Sequence, residues 1–158
     1  MLRREGHPRR RAENGAAAVE FALVLPLLVL LLFGIISYGV MLSFRQSLSQ
    51  AAAEGARAAA VTMLEADKQD EAIGAVDQAL DSFGLTCAAP KLQKGGTDVG
   101  TCTVSAPGAC TPAAAAGVEC VTVELVFNYR DHPVVPSFPG VGYVMPEQLS
   151  YSAQARVS

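Results

Sequence analysis

Gly15-Ala16-Ala17-Ala18-Val19-Glu20-Phe21 opens a stretch that stays apolar to Leu42, and Glu20 is its single charged side chain between Ala16 and Leu42. At ~1.5 Å rise per residue, about 27 residues make a helix of about 40 Å, enough to cross a ~30 Å hydrocarbon core with some tilt. The run exceeds the ~18 consecutive apolar residues of a spanning helix, so residues 16–42 are predicted to be a transmembrane helix. A buried core helix is the competing explanation, but nothing downstream is large or apolar enough to enclose a helix that is hydrophobic all round.

Arg3, Arg4, Arg9, Arg10 and Arg11 precede the run, and Glu5 and Glu13 offset only part of their charge. The positive-inside bias therefore predicts residues 1–15 to be a cytoplasmic basic leader, with everything after about Ser43 exported. A secretory signal peptide cut near Ala51 to Ala53 would carry an apolar core of only ~7 to 15 residues, much shorter than this one.

A carboxylate at mid-helix in the apolar phase costs ~2.5 to 3.5 kcal/mol on the insertion scale, which makes Glu20 a functional candidate. Snorkelling to the interface near the helix start is the plainer account of it. Were the chain cut after Gly15, Ala16 would carry a new amino group one turn before Glu20, and ammonium and carboxylate would neutralise each other. Pro26 predicts a kink of the kind membrane helices tolerate, and nothing more.

Beyond Leu42 no proline intervenes before Met63, and helix propensity is high, so the helix is expected to continue into the aqueous compartment. Phe44, Leu48, Ala51, Ala52, Gly55, Ala59 and Thr62 recur at three- and four-residue spacing, giving one face of mostly small residues. Gly55 there costs ~1 kcal/mol relative to Ala, which points to close approach by another backbone rather than to Ala-rich composition alone. Glu54 and Arg57 form an i,i+3 pair on the outer surface. Glu65 to Phe83 reads as a second helix with Ile73, Val76, Leu80 and Phe83 as its apolar stripe, acids on the other faces, and Gly84 as its C-terminal cap.

From Leu85 the pattern changes to period two. Val121, Val123, Leu125, Phe127 and Tyr129 alternate with polar or smaller residues and make the clearest strand. Leu85 to Ala88, Thr101 to Ser105 and Gln148 to Val157 are shorter candidates. The last carries Leu149, Tyr151, Ala153, Ala155 and Val157 on one side, so it is expected beside Val121 to Arg130 in an antiparallel sheet on the long helix. Gly95-Gly96, Pro107-Gly108 and Pro112 to Gly117 mark turns, and His132 to Pro146 a long Pro/Gly connection. Cys87, Cys102, Cys110 and Cys120 all fall on the exported side and predict two disulfides, with three possible connectivities. Sequential pairing, Cys87 with Cys102 and Cys110 with Cys120, is favoured because each closes a local hairpin-like loop. A four-thiolate zinc site is the weaker reading, lacking any C-x-x-C.

The fold class expected is α+β: a long transmembrane helix extending into a head with a second helix and a small antiparallel sheet, helices over 43–83 and strands over 85–158. Of the 12 basic and 15 acidic side chains, cleavage after Gly15 leaves seven and thirteen, a formal charge of −6. That excludes a nucleic-acid footprint in the exported part. His7 and His132 lie near no nucleophile or paired carboxylate, and there is no G-x-S-x-G, H-E-x-x-H or phosphate loop. The sequence thus predicts no enzyme, no metal and no cofactor.

Glu13-Asn14-Gly15-Ala16-Ala17-Ala18-Val19-Glu20-Phe21-Ala22, Leu25-Pro26-Leu27-Leu28 and Ala52-Ala53-Glu54-Gly55-Ala56-Arg57-Ala58-Ala59-Ala60-Val61 together resemble the TadE-like family of pilus assembly proteins. Tyr151 to Val157 resembles the terminal strand of such proteins more weakly. The resemblance implies a pilin-like head and a minor pilin or pseudopilin of a tight-adherence pilus or secretion system. It implies cleavage by a prepilin peptidase after Gly15, exposing Ala16, and a need for Glu20 in processing or assembly. Glu54, Gly55 and Arg57 match a second motif, for which helix packing is the expected role. Implied partners are the peptidase, other pilins or pseudopilins, the inner-membrane assembly platform and membrane lipid.

Two alternatives belong to other classes. An uncleaved single-pass protein whose disulfide-stabilised extracytoplasmic domain binds a ligand would retain Met1 to Gly15 and make Glu20 replaceable. A secreted enzyme released by signal peptidase would need a catalytic constellation that the sequence lacks.

Overall fold

The computed structural model describes residues 9–115, 117–135 and 146–157, with side-chain surroundings from Gly15 onward. The fold is α+β, and the chain divides into two compact units between Gly39 and Val40. Helix α1, Arg9–Val61, contributes to both. It begins at Arg9, seven residues before the expected spanning segment, so Arg9 to Asn14 are helical too; Ala12 and the charged residues around it have good helix propensity, and Gly15 alone does not end the helix. Met1 to Pro8, and with them Arg3, Arg4, Glu5 and His7, lie outside the described residues.

In the first unit, no residue of the most apolar eighteen-residue window is buried. Leu23, Leu27, Leu30 and Ile35 stand exposed at positions scattered around the helix, as expected of a segment hydrophobic on all sides. Length and composition make this helix compatible with a single-pass membrane protein.

In the second unit α1 becomes amphipathic. Met41, Phe44, Leu48, Ala51, Ala52, Ala56 and Ala59 are buried on one face, while Arg45, Ser49, Ala53 and Arg57 face outward. The expected second helix is divided: Glu65–Asp67 and Asp81–Phe83 are 3-10 turns flanking helix α2, Lys68–Leu80. Ala72, Val76 and Leu80 are its buried apolar residues. Lys68 is buried as well, with its Nζ 3.4 Å from Glu65 Oε1, a position that the apolar stripe did not foretell. Gly84 terminates the element in the left-handed region at φ 64°, donating its N–H to the Asp81 carbonyl at 2.8 Å.

Six strands follow: β1 Leu85–Ala88, β2 Lys91–Lys94, β3 Thr97–Val104, β4 Gly108–Ala109, β5 Glu119–Phe127 and β6 Leu149–Val157. All pairings are antiparallel, running β1-β2-β3-β5. β6 pairs with β5 from Glu119↔Val157 to Phe127↔Leu149 without a break. It therefore occupies one side of β5 end to end, and β3 and the short β4 share the other. Strand β2 is absent from the sequence expectations, and β3 begins at Thr97 rather than Thr101. Lys91 to Lys94 is too short and polar to show a period, but Gly95 and Gly96, with φ 56° and 82°, make the tight hairpin that pairs it to β3. Of the Pro/Gly connection, residues 136–145 lie outside the described residues.

The core of this unit is one layer of sheet on helix. Val121, Val123, Leu125 and Phe127 point inward from β5, and Tyr129 follows them into the core just past the strand. Phe44 is its centre: its ring meets Phe127 edge-on at 4.7 Å and Phe83 at 5.0 Å between centroids. Edge-to-face pairs of this kind add ~0.5 to 1.5 kcal/mol beyond their buried area. Cys87 is bonded to Cys102, joining β1 to β3, and Cys110 to Cys120, tying the chain after β4 to β5.

Candidate functional site: the Gly15 to Glu20 segment and the α1–α2 surface

Gly15, Ala16 and Glu20 lie within α1, in the first unit, and all three are exposed. A Cβ built on Gly15 would meet nothing within 4 Å, so its own surroundings do not require a glycine there. Ala16 and Glu20 are one turn apart on a shared face, and helical side chains lean toward the N-terminus, which aims the Glu20 carboxylate back at Ala16. A free amino group on Ala16 would be within reach of that carboxylate; within an intact helix the same nitrogen is an amide.

The second group of candidate residues lies in the other unit. Gly55 sits where α1 crosses α2. A Cβ on it would lie 2.7 Å from Val76 Cγ2, 3.2 Å from the Ala72 carbonyl oxygen and 3.3 Å from Val123 Cγ2. Backbone of α2 and a side chain of β5 thus converge on this one position. Glu54 and Arg57 flank Gly55 in sequence but face away from the core. Arg57 Nε donates to Glu54 Oε2 at 3.0 Å, and both side chains are more than half exposed. Together they line one side of a groove of about 350 Å³ between α1 and α2, whose apolar lining is Ala58, Val61, Ala75 and Ala79, with Gln78 opposite the ion pair.

The four cysteines do not form a metal site in this arrangement, since each is consumed by a disulfide. Among the described residues, no cluster of three His, Cys, Asp or Glu could hold a metal ion.

The glycine, the apolar segment with its one carboxylate and the exposed Glu54–Arg57 pair follow one another along α1. Residues 15–57, about a quarter of the chain, are similar to one known family. They match the family described as TadE-like protein from Gly15 to Arg57, so the matched TadE-like region starts at the glycine and ends at the exposed arginine. The α2 helix and the whole sheet lie beyond it. No curated protein and no solved structure matches the chain significantly.

Several structural residues escaped the sequence reading. Asp77, assigned to a solvated acidic face, accepts the backbone N–H of Cys87. Arg45 Nε donates to Tyr151 Oη at 2.9 Å, joining α1 to β6. Neither carries a local signature, because each partner lies on a different element. Gly100 did carry one: an isolated glycine beside a strand pattern marks close backbone approach.

Proposed function

We propose that this chain is a pseudopilin-type subunit of a tight-adherence pilus or secretion system, cut by a prepilin peptidase after Gly15 and acting structurally rather than as an enzyme. The observation that carries this reading is the TadE-like match, which opens at the small residue preceding the apolar run and includes Glu20. Residues 16–42 anchor the subunit in the membrane, the arginine-rich start remains cytoplasmic, and the head faces the outside. On cleavage the Ala16 ammonium and Glu20 carboxylate neutralise one another within a subunit or between neighbours, which removes the cost of a lone acid among apolar helices. Assembly proceeds through the apolar helix, with other pilins and an inner-membrane platform as partners and lipid as solvent until then. Nucleic acid has no part in it.

The test is the N-terminal sequence of the protein purified from its native membranes, alongside a Glu20→Ala variant. Ala16 as first residue, with Glu20→Ala either uncut or cut but excluded from sheared pilus fractions, is the expected result. An intact arginine-rich start, with Glu20→Ala behaving as wild type, would sink the proposal in favour of an anchored binding module.

A further inference from the structure

Beyond Leu42, the large apolar side chains left exposed among the described residues are gathered in one place: Val61, Met63 and Leu64, at 69%, 94% and 66%. They occupy the end of α1 and the link to α2, and Val61 is also a wall of the groove that Ala58, Ala75 and Ala79 line. A soluble surface scatters its apolar residues; three together beside a concave lining of small side chains mark an interaction site. Two helices with alanines between them leave a channel into which the ridge of a third helix fits.

The charges around the patch select the occupant. Glu65 and Asp67 follow Leu64 and are exposed, and Glu71, also exposed, lies one turn from Ala75 on the same face of α2. The nearby cations are already engaged on this surface, Lys68 buried against Glu65 and Arg57 bonded to Glu54. The rim is therefore acidic. A second copy docking through the same groove would set these carboxylates against their own counterparts, and like-charge juxtaposition across an interface is strongly disfavoured.

We propose that the α1–α2 groove with Val61, Met63 and Leu64 at its edge is the docking surface for a helix of a different protein, one with an apolar stripe bordered by lysine or arginine. Met63 and Leu64 enter that stripe, and Asp67 and Glu71 take the flanking cations.

A photoreactive amino acid placed at Met63 of the full chain, in its native cells, tests this, with the same group at Ser152 on the outer face of the sheet as control. The expected adduct joins Met63 to another protein, and peptide mapping puts it in a segment of helical apolar period carrying Lys or Arg. Its yield falls about tenfold in Asp67→Lys/Glu71→Lys and in Ala75→Leu, while both disulfides still form. An adduct to another copy of this chain, an adduct to lipid, equal labelling from Ser152, or no adduct would each overturn the proposal. The N-terminal residue of the same purified protein is read independently, so failure here is separable from failure of the cleavage reading.

Discussion

Val76 occupies the space that a side chain on Gly55 would need, its Cγ2 lying 2.7 Å from where that Cβ would be. The helix crossing of α1 and α2 is therefore set at a distance only glycine allows. Gly55→Ala gains about 1 kcal/mol of helix propensity but incurs an overpacking cost of about 1 to 3 kcal/mol, because the Ala72 carbonyl cannot turn aside as a side chain can. A net loss of about 1 kcal/mol is expected in denaturant unfolding of the head, followed in the detergent-solubilised chain. Val76→Ala in the same background should recover part of it, and the double-mutant cycle should show coupling. If Gly55→Ala were stabilising in both backgrounds, the close crossing would be wrong.

Gly100 presents a more severe case. A Cβ there would lie 1.9 Å from the Val126 carbonyl oxygen and 2.9 Å from its carbon, both backbone atoms of the paired strand. Gly100→Ala must part β3 from β5, and a loss of about 3 kcal/mol or more is expected. Protease resistance and the yield of correctly paired disulfides measure it.

How far these features could be read from the chain depends on the range of the interaction. The β5–β6 pairing and the inward face of each strand were legible, since Val121, Val123, Leu125 and Phe127 alternate and so do Leu149, Tyr151, Ala153 and Ala155; the register, which opposes Val123 to Ala153 and Leu125 to Tyr151, was not. The amphipathic face of α1 was likewise written in its spacing. Lys91 to Lys94 was not recognised as a strand because its order derives from the hairpin and from β3 rather than from a period of its own. The groove beside Glu54 and Arg57 was invisible because Ala75 and Ala79 are meaningful only once α2 is laid beside α1.

The two disulfides should differ modestly in weight. Replacing Cys87 and Cys102 together by alanine is expected to cost about 3 kcal/mol on the loop-entropy account, and replacing Cys110 and Cys120 a few tenths less, because the sequence separations are 15 and 10. Thermal unfolding of the two double variants, with and without reductant, gives both numbers. Reductant should shift each variant only by the amount owed to the bridge it retains.

Asp98 on β3 bonds with Lys91 and Gln93 of β2, and these side-chain hydrogen bonds hold its carboxyl below the ordinary value of 3.8. A carboxylate depressed in the folded state contributes stability above its unfolded pKa and loses it as pH falls through the folded one. The β2–β3 hairpin should thus keep its amide protection at neutral and mildly acidic pH and lose some of it below about pH 4. Lys91→Met should raise the Asp98 titration midpoint in an NMR pH series. An unchanged midpoint would show the contact to be unimportant, as many exposed pairs are.

Asp77 closes one border of the sheet. By accepting the Cys87 N–H it occupies a donor that an incoming strand at β1 would need, whereas β6 pairs, among the described strands, with β5 alone. A sheet with two open borders can polymerise as an endless ribbon; a sheet with one can only couple to a single neighbour and stop. One carboxylate on α2 thus decides how many borders of this sheet can accept a further strand.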